Sequence, residues 1–248
     1  MYVTTRGLVV RVTKYNDTDA LLTVLSQHDG KLTLKARGLF RKKSPLTAPC
    51  QLLAYSEFTL FEYRDQYTIN EARTVELFRG LRRDLSKLSL GTYFAQVTQT
   101  LSQEDMPNPE LLSLVLNCLY ALDKLDLPEP LVKAAFELRA ACLSGYAPDL
   151  SGCYKCGCST PDRFHIFGGH LECAACRDYS DAGLRIPILP GVLDSMRYIC
   201  NCDLKQLFSF RVGEATLENL SQVTEAYLSA QLEQGFSTLD FYKSLQMK

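Results

Sequence analysis

Apolar and polar positions alternate along the first part of the chain and change period near Val75. Leu8-Val9-Val10-Arg11-Val12-Thr13 is β-branched and apolar, and the polar turn Asn16-Asp17-Thr18-Asp19 closes it. Ala20–Leu25 is a second apolar run, followed by the hairpin-type turn His28-Asp29-Gly30-Lys31. Leu32, Leu34 and Ala36 then alternate with Thr33, Lys35 and Arg37, which predicts a half-buried strand with a basic outer face. After a loop come Leu53–Leu60, a turn around Glu62-Tyr63-Arg64-Asp65, and Gln66–Glu71.

Five short strands with turn signals between them fit a small closed barrel, for which the OB-fold is the natural candidate. Beyond Val75 the spacing becomes helical. Leu81, Leu85, Leu88, Phe94, Val97 and Leu101 share one face, with Gly91 a weak point inside the pattern. Asp105-Met106-Pro107-Asn108-Pro109 breaks this helix, and Asn108 and Pro109 can cap and start the next. That helix carries Leu111, Val115, Cys118, Leu122 and Leu125 and ends at Pro128-Glu129-Pro130. A third carries Leu131, Ala134, Leu138 and Cys142, with Gly145 in the position that ends helices. Pro187 and Pro190-Gly191 mark a later loop. Helical spacing resumes over Val192–Cys200, over Leu204–Phe208, and from Glu214 to about Glu233.

Between the helical stretches lies Leu150–Asp178, LSGCYKCGCSTPDRFHIFGGHLECAACRD, which changes the picture. Two Cys-x-x-Cys pairs, Cys153/Cys156 and Cys173/Cys176, are separated by sixteen residues. Each pair can turn two thiolates to one side of a tight knuckle, and this doubled spacing is that of a zinc site. Gly157 suits the knuckle, and Gly168-Gly169 would turn a hairpin of Arg163–Phe167 against His170–Glu172. Four thiolates leave no open position for water, so the expected zinc is structural, one per chain. Cys158 breaks the two-residue spacing, and His165 and His170 are expected at the surface or just outside the ligand shell. His170-Leu171-Glu172 spells the start of a deaminase signature, but it abuts Cys173 without a helix between them, and no proline precedes the cysteine pair. Neither pair has the βαβ context of a redox motif.

The expected architecture is therefore multidomain α+β. An OB-fold barrel over 1–77 binds nucleic acid, and an all-α domain over 78–149 and 181–248 carries an inserted four-cysteine zinc module at 150–180.

Charge points to the barrel. Lys31–Lys43 holds Lys31, Lys35, Arg37, Arg41, Lys42 and Lys43 and no acidic residue. Residues 1–50 carry nine basic residues, with Arg6, Arg11 and Lys14 added to those six, against Asp17, Asp19 and Asp29, a local charge of +6. The whole chain of 248 residues is at −1, so the remainder is net acidic. Basic side chains clustered on one β element form a track for a phosphate backbone, and Lys35, Arg37, Arg41, Lys42, Lys43, Arg11 and Lys31 are the expected contacts. Phe40 sits inside the loop. Tyr15, Phe58, Tyr63 and Tyr67 lie on or near the strands, where bases could stack on them, but strand aromatics usually pack inward, so the core is the favoured expectation.

Other classes find little support. Ten cysteines occur without a continuous apolar segment near MYVTTRGLVVRV, so they read as cytosolic thiols and ligands. No apolar run reaches the roughly 18 residues of a membrane span. No phosphate loop, nucleophile elbow or H-E-x-x-H is present, and no carboxylate pair stands out, so no enzyme is expected. Cys200 and Cys202 are expected at a helix end. The rival is a zinc-ribbon adaptor whose basic face meets only an acidic protein tail.

The run GLVVRVTKYNDTDALLTVLSQHDGKLTLKARGLFRKKSPL, with LSGCYKCG and GGHLECAAC after it, resembles the bacterial RecO family of recombination mediators along nearly the whole chain. The resemblance implies an N-terminal OB-fold, a helical domain bearing the zinc module, and a cytoplasmic, nucleoid-associated, non-enzymatic role. It further implies binding of single- and double-stranded DNA and annealing of complementary strands in gap and double-strand-break repair. The implied partners are RecR, with which RecA is loaded, and the C-terminal tail of single-strand-binding protein. Phe40 departs from a loop that is usually more uniformly small and basic.

Overall fold

The computed structural model describes residues 1–64, 66–104, 106–176 and 183–247. Asp65 and Asp105, placed by the sequence in a turn and in a helix breaker, and residues 177–180 of the expected cysteine module lie outside them. The chain divides into two compact units, Met1–Leu125 with Phe236–Lys248, and Asp126–Gly235.

In the first unit the five expected strands form: β1 (Tyr2–Lys14), β2 (Ala20–Ser26), β3 (Lys31–Ala36), β4 (Tyr55–Tyr63) and β5 (Gln66–Glu76). They close a barrel in the order β1-β2-β3-β5-β4. β1 serves two partners. Its first half pairs with β4 and its second with β2, with a register shift between Val9 and Arg11 where Leu8, Val9 and Val10 are all buried. A bulge there adds the twist that turns a long strand round a barrel corner. Gly7 lies at that corner, where a Cβ would come within 2.4 Å of Val24 Cγ1. β3 and β5 close the barrel in parallel through Leu34 opposite Tyr67 and Lys35 opposite Thr68. This is the OB-like arrangement that the five-strand pattern predicts.

Two strand boundaries differ from the sequence expectation. β1 starts at Tyr2 rather than Leu8, because Tyr2–Arg6 pair with β4 while showing no apolar alternation. β4 starts at Tyr55 rather than Leu53, because Leu53 takes a left-handed φ of 64° outside the strand.

Six α-helices occur among the described residues: α1 (Leu85–Leu101), α2 (Pro109–Lys124), α3 (Glu129–Leu143), α4 (Pro190–Asn201), α5 (Glu214–Gln231) and α6 (Ser237–Gln246). The first unit holds α1, α2 and α6 besides the barrel. Leu81 falls in a separate 3-10 turn. α1 begins only after Asp84, whose Oδ1 accepts the N–H groups of Ser86 and Lys87 at 2.9 and 3.2 Å. Asn108 caps α2 as expected, accepting from Leu111 N–H at 2.9 Å. No sequence pattern pointed to α6, whose buried residues are only Leu239 and Tyr242. It packs along α1, and just before it Phe236 meets Tyr93 edge-on at 5.5 Å.

The second unit packs α3 against α4 and α5. Lys133 of α3, 2% exposed, is held between Glu137 at 3.0 Å and Glu225 at 2.9 Å. The region is not purely helical around the module. β6 (Asp149–Cys153), β7 (Arg163–His165), β8 (His170–Glu172) and β9 (Arg185–Pro187) form a sheet in the order β6-β8-β7-β9. β9 occupies the stretch read as a loop, and Pro187 is tolerated because it sits at the sheet edge opposite Arg163.

Candidate functional site

The β7–β8 hairpin brings the second cysteine pair back to the first. Gly169 takes φ 61° in its turn, and its N–H donates to His165 O at 2.9 Å. β6 runs parallel to β8, with Cys153 opposite Leu171. Cys153 therefore ends one strand while Cys173 directly follows the other. At the first knuckle Gly157 N–H donates to Cys153 O at 2.7 Å, with Gly157 at φ 71°. At the second, Cys176 N–H donates to Cys173 O at 3.1 Å in a 3-10 turn.

The sulfurs of Cys153, Cys156, Cys173 and Cys176 all lie within 4.8 Å of one another. Cys156 and Cys173 are 3.7 Å apart. Four thiolates at the usual zinc–sulfur distance of about 2.3 Å would stand about 3.8 Å apart at tetrahedral corners, so the cluster fits a metal ion. Cys153 and Cys173 are buried, Cys176 half-buried and Cys156 exposed. Burial pushes the Cys153 thiol up, but the backbone N–H groups of Cys156, Lys155 and Cys173 outweigh it and hold the thiol at about 6. Cys176 is pushed up to about 12 by sharing hydrogen bonds with Cys156 and Cys173, and by burial. Bare thiols crowded this closely deprotonate unequally.

Of the competing ligands, Cys158 falls outside the four-sulfur cluster although it reaches Cys173. Cys158 Sγ lies 3.4 Å from Thr160 Oγ1. His165 is buried, not at the surface, and stacks on His170 with centroids 4.8 Å apart. Its Nδ1 accepts from Gly168 N–H at 2.9 Å. Glu172, the acid of the deaminase-like triplet, is 1% exposed and bound by Arg185 Nε at 2.8 Å, a structural commitment. Cys200 falls within α4, its Sγ 3.4 Å from that of Cys142, and Cys202 just past the helix end.

On the barrel, the basic loop is built into the fold. Leu39, Leu46 and Cys50 enter the core cluster beneath it. Asp19 Oδ1 accepts Gly38 N–H at 2.8 Å, and Phe40 N–H donates to Thr18 O at 2.9 Å, so the loop is tied to the β1–β2 turn. The Gly38 N–H, then Asn16 and Thr18, hold the Asp19 carboxyl below the usual range. With Leu39, Leu46 and Cys50 turned in, the loop presents Arg37, Phe40, Arg41, Lys42 and Lys43 to solvent. Lys35 points outward from β3 beside it, its Nζ 4.8 Å from the ring centre of Tyr15.

The remaining basic positions lie elsewhere. Lys31 is at the other end of β3, roughly 20 Å of strand from Arg37. Arg11 lines a cleft of about 440 Å³ with Thr92, Gln96 and Thr100 of α1.

The strand aromatics divide. Phe58 is in the core and Tyr67 packs against it, as expected, whereas Tyr15 and Tyr63 are exposed. Tyr15 is lifted out by the turn, and Tyr63 ends β4 beyond the barrel interior. Tyr2 and Phe61, exposed aromatics with ring centroids 5.5 Å apart, were missed. The signal was available for Phe61: with Phe58 and Leu60 inward, strand alternation turns it out.

Among the described residues no helix is long and apolar enough to cross a membrane. Two family models together match almost the entire chain: "Recombination protein O N terminal" over residues 1–78 and "Recombination protein O C terminal" over 82–240. A protein named DNA repair protein RecO from Acetivibrio thermocellus is 35% identical over 246 residues, 98% of this chain and 97% of its own. Proteins of the same name from Alkaliphilus metalliredigens and Heliobacterium modesticaldum are 30% and 32% identical, covering 99% and 92% of this chain and 100% and 84% of their own.

Proposed function

The chain belongs to the RecO family of DNA repair proteins, and on that premise we propose that it is a recombination mediator. It binds single- and double-stranded DNA without reading sequence and anneals complementary strands. With RecR it helps load RecA onto DNA coated by single-strand-binding protein, whose acidic C-terminal tail it meets. It is not an enzyme, and it works in the cytoplasm at the nucleoid.

The observation that carries the DNA part is the fixed basic loop. Arg37, Arg41, Lys42 and Lys43 project from a segment anchored by Leu39, Leu46 and Cys50 in the core of an OB-like barrel, with Lys35 alongside. Such a surface replaces condensed counterions on a phosphate backbone, which gives affinity without base readout. Two strands held on one basic surface lose mutual repulsion and can pair. Because the loop is held by the Asp19–Gly38 and Phe40–Thr18 hydrogen bonds, little ordering accompanies binding. Arg11 and Lys31, on other parts of the barrel, would extend the track rather than form its centre.

One structural zinc per chain, held by Cys153, Cys156, Cys173 and Cys176, braces the second unit. It supplies folding energy and no chemistry. On this reading residues 1–77 are the nucleic-acid-binding part, 150–180 is the brace, and 78–149 and 181–248 are its helical setting.

The test is strand annealing with labelled complementary oligonucleotides, run beside binding of an acidic tail peptide. Annealing that falls with the Arg41/Lys42/Lys43→Ala variant supports the proposal. Peptide binding without DNA binding or annealing would mean an adaptor that works only through proteins.

A further inference from the structure

The outer face of the barrel carries one unbroken row of side chains. Tyr2 pairs with Phe61, Phe61 with Thr68, Thr68 with Lys35, Lys35 with Leu21, and Leu21 with Thr13. None of the six is buried. The row starts at one end of β1, passes round every strand, and returns to the other end of β1, as the stagger of a closed barrel requires.

One end of this row is aromatic. Tyr2 is 61% exposed and Phe61 42% exposed, with their rings tilted at 59°. Two strand spacings on, about 10 Å, stands Lys35, its ammonium over Tyr15. Past Lys35 the chain enters Arg37 and the basic loop. Of the acids on this face, Glu57 is bound by Arg6 at 2.8 Å, and Glu71 stands opposite Thr59, on the side of Phe61 away from Lys35.

Rings left in water on a sheet face forgo burial, which favours a partner that brings its own flat apolar faces. The adjoining cations require that partner to be anionic. Exposed bases on a phosphate backbone meet both conditions. A duplex does not, because its bases are already stacked.

We propose that Tyr2 and Phe61 form a stacking platform for the bases of single-stranded nucleic acid, whose phosphates run toward Lys35 and Arg37. This deepens the DNA-binding reading and rests on it. The platform separates two modes on one barrel. The loop cations hold either form of DNA by charge, and the aromatic pair selects unpaired bases.

The test uses the full chain with a single-stranded oligonucleotide carrying 2-aminopurine and a duplex of equal length. Phe61→Leu and Tyr2→Leu keep the exposed apolar surface and remove the flat ring. Each is expected to weaken single-strand binding by about ten-fold, within the range for loss of one base–aromatic stack. Duplex binding should change by less than two-fold, 2-aminopurine quenching should fall, and Phe61→Trp should restore both affinity and quenching. Single-strand affinity and quenching unchanged in both leucine variants, with wild-type binding intact, would overturn the platform alone. No DNA binding by the wild type would overturn the DNA reading itself. Sedimentation showing a dimer that dissociates in the leucine variants, with DNA binding unchanged, would make the pair a contact between copies and also overturn the platform.

Discussion

Asp19 Oδ1 accepts the backbone N–H of Gly38 at 2.8 Å, and with the Phe40–Thr18 hydrogen bond this contact fixes where the basic loop leaves β3. Gly38 takes φ 68°, so the chain turns away from the strand there, and the Arg41 side chain lies within 3.2 Å of where a Gly38 Cβ would be. A carboxylate of the β1–β2 turn, beside the basic loop, thus serves the loop's geometry.

Asp19→Ala should free the loop without unfolding the barrel. Amide hydrogen exchange at Gly38 and Phe40 is the measurement, with faster exchange expected there and unchanged protection at Leu22 and Leu34. The carboxyl's folded pKa is depressed, so its contribution is present above the unfolded value of about 3.9 and is lost as pH falls through the lower folded value. Between pH 5 and 8 the wild-type exchange pattern should therefore show no titration from Asp19.

The cysteine cluster should behave as a brace. Metal analysis of reduced protein is expected to return one zinc per chain, and chelation should expose four further thiols and lower the melting temperature. Metal affinity should fall as pH is lowered, because the ligands must be thiolates. Cys153→Ser should cost stability. A Cys153→Ser protein that is fully stable yet unable to bind DNA would move the function to the cluster.

Lys133 is buried between two carboxylates. Removing it alone strands Glu137, which is 0% exposed and whose pKa burial already pushes up. Lys133→Met should destabilise by about 3–5 kcal/mol in urea unfolding, and Lys133→Met with Glu137→Leu should recover much of that. A loss in the double variant equal to the sum of the losses in Lys133→Met and Glu137→Leu alone would show that the pair is not coupled.

Gly91 marks a close approach inside α1. A Cβ there would lie 3.1 Å from Leu53 Cδ1 and 3.2 Å from Leu119 Cδ2. Gly91→Val should cost about 1–3 kcal/mol by overpacking, read as a lower urea midpoint at unchanged m-value.

Gly91 also shows what the sequence could and could not say. Helical spacing marked it as a weak point, but a local pattern carries no information on which distant side chains approach it. The barrel was legible because alternation at Leu32, Leu34 and Ala36 records a half-buried face. The cysteine site was legible because Cys-x-x-Cys spacing encodes a knuckle directly. α6 was not legible, since only Leu239 and Tyr242 are buried in it and tertiary packing against α1 decides its helicity. β9 was hidden by Pro187, which reads as a breaker until its position at a sheet edge is known. The exposed aromatics were hidden for a similar reason. Tyr2 lies in a stretch without alternation, and only its register opposite Phe61 turns it into part of a surface.

The most direct measurement is the salt dependence of binding to a labelled single-stranded oligonucleotide, for the wild type and for Arg41/Lys42/Lys43→Ala. Each phosphate contact contributes about 0.7 to the slope of log affinity against log salt on single strands. Loss of three contacts should lower both the affinity and the magnitude of the slope, the slope by about 2. An unchanged affinity and slope in a folded triple variant would contradict the placement of DNA on this loop.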